Sequence, residues 1–160
     1  MNEPVSMPPS IITGYFEDLP EGRSIRHWPG RTITEADDTW FSMMTMNGNP
    51  IHFDAAYAAR VGHGKRLVNG LFVLSLSVGM STRDVAARAL ANLSMDKIQH
   101  RSPVFHGDTL YAISHVIEGR VSKTKPDRGV VRLETKTVNQ ENAEVLRFER
   151  TILVPIKPTA

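Results

Sequence analysis

The stretch Asn47-Gly48-Asn49-Pro50-Ile51-His52-Phe53-Asp54 sets two carboxamides, a proline and a histidine within six residues. A histidine gives and takes a proton near neutral pH, and a carboxamide both donates to and accepts from a bound water. This set suits moving protons on and off water. The Asn, Gly and Pro residues favour a turn, which projects these side chains into solvent space instead of burying them on a core face. Asn49 can also bond its neighbouring backbone and shape the turn. Asp54 heads the segment Ala55-Ala56-Tyr57-Ala58 and reads as a helix cap in preference to a catalytic acid. Arg60, Lys65 and Arg66 follow and could meet phosphates or a carboxylate; a solvated loop face is the plain alternative. His27, His63, His100, His106 and His115 have no metal-ligand spacing, and no acid pair stands near them, so no metal site is expected.

The elements that must hold this turn are readable on either side. Thr34 precedes Glu35-Ala36-Asp37 in a capping pattern that predicts a helix from Glu35 to about Met46. Ala36, Trp40, Met43 and Met44 recur at helical spacing, so they and Met46 read as core filler. Asp54 caps a short helix to about Arg60, and Val61 to Arg66 form a loop with two glycines. The run from Gly70 to Met80 is apolar nearly all round and predicts a central helix, too short and interrupted to cross a membrane. Period-two alternation over Tyr111 to Val121, Gly129 to Val138 and Val145 to Ile156 predicts long antiparallel strands. Lys123 to Arg128 and Asn139 to Asn142 are the hairpin loops, and an edge strand falls within Ser24 to Arg31. Residues 1–10, with Pro4, Pro8 and Pro9, read as a flexible arm, and 11–160 as one domain. One apolar helix and a sheet with a face to bury give an α+β fold in which the antiparallel sheet wraps a long central helix.

Composition narrows the function classes. The 160 residues are 41% hydrophobic and 22% charged, the balance of a globular domain. The absence of cysteine removes disulfides, thiolate zinc sites and cysteine nucleophiles. The net charge of +2 is scattered along the chain, without the basic stripe of a nucleic-acid binder, though it is compatible with an anionic small ligand such as coenzyme A. The first ten residues lack the apolar run of a signal peptide, which makes the cytoplasm the expected compartment.

The order of several short motifs resembles the MaoC-like dehydratases, the (R)-specific enoyl-CoA hydratase family. These are Tyr15-Phe16-Glu17-Asp18 with Gly22, Arg31 to Asp37, Asn49-Pro50-Ile51-His52-Phe53-Asp54, Asn69-Gly70, and Pro103-Val104 with Gly107 to Leu110. The resemblance implies a single hot-dog domain, a homodimer or higher homo-oligomer, and an acyl-CoA thioester substrate, with no cofactor beyond the coenzyme A that the substrate carries. It implies water added across a trans-2-enoyl thioester to give an (R)-3-hydroxyacyl-CoA. By motif position His52 is the acid-base group, Asn47 orients water or substrate, and the Gly70 amide polarises the carbonyl; Asn49, Asn69 and Leu71 join Arg60, Lys65 and Arg66 as the substrate-binding set. Two departures matter. Asn47 stands where the best-known members carry an aspartate, and Val78 where some place a serine. The acyl group implied is short and branched or dicarboxylic, as in mesaconyl-CoA or itaconyl-CoA. A thioesterase of the same fold and a non-catalytic acyl-CoA-binding protein remain as alternatives, the second favoured by Asn47.

Overall fold

The computed structural model describes residues 14–158, so the arm expected at residues 1–10 lies outside the described residues. Three long strands follow the predicted alternation: β4 (Thr109–Val121), β5 (Arg128–Val138) and β6 (Glu144–Pro155). The alternation exists because every second side chain faces the same way; Leu110, Ala112, Ser114 and Val116 of β4 are all buried. β1 (Ser24–Arg26) pairs with β4, and β3 (Ala91–His100) pairs with β6, giving the antiparallel order β1-β4-β5-β6-β3; the short β2 (Arg31–Thr32) also pairs with β4. The edge strand β3 carries two register shifts and is mostly exposed.

Helix α1 (Glu35–Met44) is capped as its sequence requires. Thr34 Oγ1 accepts from the Asp37 amide at 3.2 Å, and Asp37 Oδ2 accepts from the Thr34 amide at 2.9 Å. It stops two residues short of Met46, since Thr45 Oγ1 donates back to the Phe41 carbonyl at 2.8 Å and Met46 takes a left-handed φ of 57°. Its orientation corrects the expected packing. Trp40, Met43 and Met44 are 63–72% exposed and Met46 is 91% exposed, while Asp38 and Ser42 are buried. The polar stripe turns inward because both side chains have buried hydrogen-bond partners to satisfy.

α2 (Ala55–Arg60) is capped by Asp54, whose Oδ1 accepts from the Tyr57 amide at 2.8 Å. α3 (Gly70–Ser81) crosses the sheet and continues into a π-helical turn at Thr82–Ala86. The expected all-round apolar helix has a more particular pattern. Its most buried stripe is Val73, Ser77 and Ser81, at helical spacing, whereas Leu71 is 58% exposed. Ser77 accepts from Thr137 Oγ1 at 2.8 Å and Ser81 accepts from Arg150 Nη2 at 2.9 Å.

Those serines belong to a polar seam between two apolar clusters. One cluster holds Val116, Leu133, Ile152 and Val85, the other Leu110, Val73, Leu146 and Phe148. Along β6 the seam residue Arg150 separates Phe148 from Ile152, and burial pulls its guanidinium down to about 10. His27 is part of the same buried layer. Asp84 Oδ2 can only accept, so His27 Nδ1 carries the proton across their 2.7 Å contact, and Ser114 Oγ donates to Nε2 at 2.8 Å. Burial is the larger influence on this imidazole and holds its pKa below the ordinary value of about 6.5, against the opposing pull of Asp84.

Two outcomes follow for stability. Between the lowered native pKa of His27 and about 6.5 the unfolded chain binds more protons than the native one, so stability rises with pH there and is lost as pH falls below about 6.5. Urea denaturation at pH 7.5 and 5.5 is expected to give a lower free energy at the acid value, with a smaller difference in His27→Asn; an equal difference would place the titration elsewhere. Phe148→Ala, at a fully buried site, is expected to cost about 3–5 kcal/mol in the same assay.

Candidate active site

Four consecutive residues, Leu67 to Gly70, are fixed from several directions. The Leu67 amide donates to the Ile51 carbonyl at 3.2 Å, and the Val68 amide to the Val104 carbonyl at 2.9 Å. The Asn69 amide donates to Asp38 Oδ1 at 2.9 Å. Asn69 is buried; its Nδ2 donates to Ser42 Oγ at 3.0 Å and its Oδ1 accepts from the Leu71 amide at 3.0 Å. Its described bonds support the start of α3, and it does not line the cleft that holds His52 and Gly70. Asp38 also accepts from His106 Nε2 at 2.9 Å through its second oxygen, so both oxygens of this buried carboxylate are occupied.

The consequence falls on Gly70. An α-helix leaves its first amides without intrahelical partners, and its N-terminus favours negative charge. Asn69 caps the Leu71 amide, whereas the Gly70 amide makes no hydrogen bond among the described residues. A side chain here would have to displace the exposed His100 ring. The His100 ring lies close enough that a Cβ on residue 70 would fall 2.8 Å from its Cε1.

His52 lies in the short 3-10 helix Pro50–His52, which Asn49 caps through an Oδ1 contact of 3.2 Å with the Ile51 amide. Its Nδ1 stands 2.8 Å from the Leu67 carbonyl. A carbonyl only accepts, so Nδ1 holds the proton and the neutral ring keeps its lone pair on Nε2. Leu67 thus fixes both the orientation and the tautomer of the histidine.

His52 and Gly70 line one cleft of about 390 Å³, together with His63, His100, Arg101 and Ser102. Among the groups lining the cleft are the His52 imidazole, with Nε2 as a free acceptor, and the Gly70 backbone amide, a pair able to move a proton and to stabilise a developing oxyanion. His63, His100 and Arg101 were not singled out for this site by sequence; the readable signal was the polar run His100-Arg101-Ser102 ahead of Pro103, which ends β3. No three His, Asp or Glu side chains among the described residues are grouped as metal ligands.

The remaining residues divide. Asn47 is half-buried and does not line this cleft; its Oδ1 accepts from the Asn49 amide at 3.2 Å, which leaves its Nδ2 hydrogens as the free donors. Asn49 is spent on the turn, and Leu71 points outward, so neither lines the cleft. Lys65 and Arg66 share a second cleft of about 260 Å³ with His106 and Glu35. Arg66 pairs with Glu35 at 2.5 Å, and Lys65 sits 4.1 Å above the Phe105 ring. Arg60, at the end of α2, is exposed and lines neither cleft. Val78 is half-buried against the second apolar cluster.

A family model described as a MaoC like domain matches residues 18–145. The chain is 30% identical over 149 residues to the (R)-specific enoyl-CoA hydratase of Rhodospirillum rubrum, covering 92% of this chain and 96% of that protein. It is 26% identical over 147 residues to the mesaconyl-CoA hydratase of Haloarcula hispanica, covering 91% of this chain but only 41% of that protein. A conserved protein of Mycobacterium tuberculosis with a double hot-dog fold superposes with a TM-score of 0.85 at 28% identity, covering 94% of this chain and 47% of that one. The chain thus spans about two-fifths of the mesaconyl-CoA hydratase and about half of the double hot-dog protein. A sheet wrapped on one central helix, a match running from Asp18 to Val145 and a hydratase relative covered almost end to end make this chain a member of the MaoC-like dehydratase family, with the hot-dog fold.

Proposed function

We propose that this protein adds water to a trans-2-enoyl-CoA thioester, or removes it from the (R)-3-hydroxyacyl-CoA. The observation that carries this reading is the pairing in one cleft of His52, with its Nε2 lone pair free, and Gly70, with its amide unpartnered. The thioester carbonyl accepts from the Gly70 amide, which draws electron density from C3. His52 Nε2 takes a proton from water as its oxygen bonds to C3, and the C2–C3 π electrons move toward the carbonyl to give an enolate. The imidazolium then returns the proton to C2. We assign Asn47, which stands outside the lining of this cleft but keeps free Nδ2 hydrogens, to orienting the water, a role that requires no ionisation. Coenzyme A enters as part of the substrate, and we assign Lys65, Arg66 and Arg60 to its phosphates.

We read the working unit as a homo-oligomer, a dimer at the least. Trp40, Met43, Met44 and Leu71 form exposed apolar surface that a second copy would cover. The lengths support it as well, since relatives about twice as long include a protein with two hot-dog units in one chain.

The absence of an acid at position 47 favours a second reading, acyl-CoA binding without turnover. Enoyl-thioester absorbance separates the two. Wild type is expected to consume the band, and His52→Ala to lose about 10²- to 10⁴-fold in kcat. Full activity in His52→Ala would sink the mechanism, and binding without consumption by wild type would sink the hydratase reading. Sedimentation velocity is expected to find two or more chains per particle, with Met44→Glu shifting the population toward single chains; a wild-type monomer would overturn the assembly.

A further inference from the structure

We infer that His100 is a second hydrogen-bond donor to the thioester oxygen, sharing with the Gly70 amide the negative charge that develops there. The inference rests on the hydratase reading of the His52–Gly70 cleft and adds a catalytic side chain to it.

The register of the sheet decides which way His100 points. It stands directly opposite Leu146 in the β3–β6 ladder, and residues paired in this way project from the same face of a sheet. Leu146 is fully buried in the cluster that holds Val73 of α3, so this is the face that the helix covers. The imidazole therefore leaves the last position of β3 toward the start of α3. A Cβ on residue 70 would stand 2.8 Å from the ring's Cε1, 3.1 Å from its Nε2 and 3.2 Å from its Nδ1. The side of the ring that meets Gly70 is thus the side bearing both nitrogens. A neutral imidazole carries a proton on one of them and an imidazolium on both, so this side holds an N–H in every protonation state.

The distances let the two donors converge on one atom. An amide nitrogen lies about 2.5 Å from the Cβ of its own residue by covalent geometry, so each ring nitrogen is at most about 5.7 Å from the Gly70 nitrogen. Two donors share an acceptor when they stand within about 6 Å of each other, because each bond spans about 2.7–3.2 Å. A thioester oxygen has two lone pairs, and the Gly70 amide fills only one.

No structural bond accounts for a histidine at this position. The rings of His52, His27 and His106 are each held by hydrogen bonds, to the Leu67 carbonyl, to Asp84 and Ser114, and to Asp38. The His100 ring is exposed and holds none among the described residues. No Asp or Glu lines the cleft, so no carboxylate there competes for its N–H. Donors placed in advance where charge will appear stabilise the transition state without reorganising during the reaction.

The test uses two substitutions at this exposed site. His100→Phe keeps an aromatic ring and removes both nitrogens, whereas His100→Gln restores an N–H that does not titrate. With crotonyl-CoA, His100→Phe is expected to lose about 10²- to 10³-fold in kcat, the size of one oxyanion donor, with KM changed less than about threefold. His100→Gln should regain about tenfold or more of that loss. Full kcat in His100→Phe would overturn the inference, as would a His100→Gln variant no faster than His100→Phe, which would mark proton transfer instead of hydrogen bonding. Infrared difference spectra of bound butyryl-CoA, labelled with 13C at the thioester carbonyl, read the same contact without turnover. The labelled stretch is expected to fall in frequency on wild type and to fall less on His100→Phe. If wild type consumes no enoyl-CoA, that difference keeps the donor while the hydratase reading falls; the same frequency on both proteins overturns the inference.

Discussion

The hydrogen bond from the Asn69 amide to the buried carboxylate of Asp38 is the constraint on which the site depends. An ionised carboxylate out of water is costly unless both oxygens are bonded, and here Asn69 and His106 provide the bonds. To bring Asp38 to Asn69, α1 must turn its Asp38 and Ser42 face inward, which leaves Trp40 and the methionines outside. The same bond holds the chain where it enters α3. It fixes the helix N-terminus beside His100, leaves the Gly70 amide without a hydrogen bond among the described residues, and steadies the Leu67 carbonyl that sets the His52 tautomer. One buried contact therefore governs both an exposed apolar surface and the two groups assigned to chemistry.

The interior is organised around polar contacts as much as apolar ones. Ser77, Ser81, Ser114, Thr135, Thr137, His27 and Arg150 form a seam that ties α3 and its continuation at Asp84 to the sheet between two apolar clusters. A hydrogen bond in such a layer adds only about 0.5–1.5 kcal/mol net, but leaving a partner unsatisfied costs more, so the seam fixes the helix register against sliding. That register matters at the far end of α3, where a displacement of the Gly70 amide would misdirect its hydrogen bond. The fold's specificity and the site's geometry draw on the same contacts.

The long strands were legible because alternation leaves one reading for side chains that face a core, and the caps at Thr34 and Asp54 were legible because each has an immediate backbone partner. The His52 turn and the Gly70 helix start were also readable, being carried by local residue types. What local pattern could not give was contact between distant segments. The apolar spacing of Trp40, Met43 and Met44 is a true helical stripe, but which stripe faces the core was decided by Asp38 and Asn69, 31 residues apart. Likewise nothing local to Asn69 reveals that its amide meets Asp38 and its Nδ2 meets Ser42. His100 and Arg101 reach the cleft through the pairing of β3 with β6, a register set by the whole sheet.

The mechanism rests on the Gly70 amide as the donor to a thioester carbonyl. Amide NMR of 15N-labelled protein titrated with a saturated acyl-CoA, which binds without turnover, examines that group directly. A downfield displacement of the Gly70 amide proton, larger than that of its neighbours and absent with coenzyme A alone, is the predicted result. An unmoved Gly70 resonance at saturation, with the shifts gathered elsewhere, would contradict the assignment and remove the carbonyl from the α3 N-terminus.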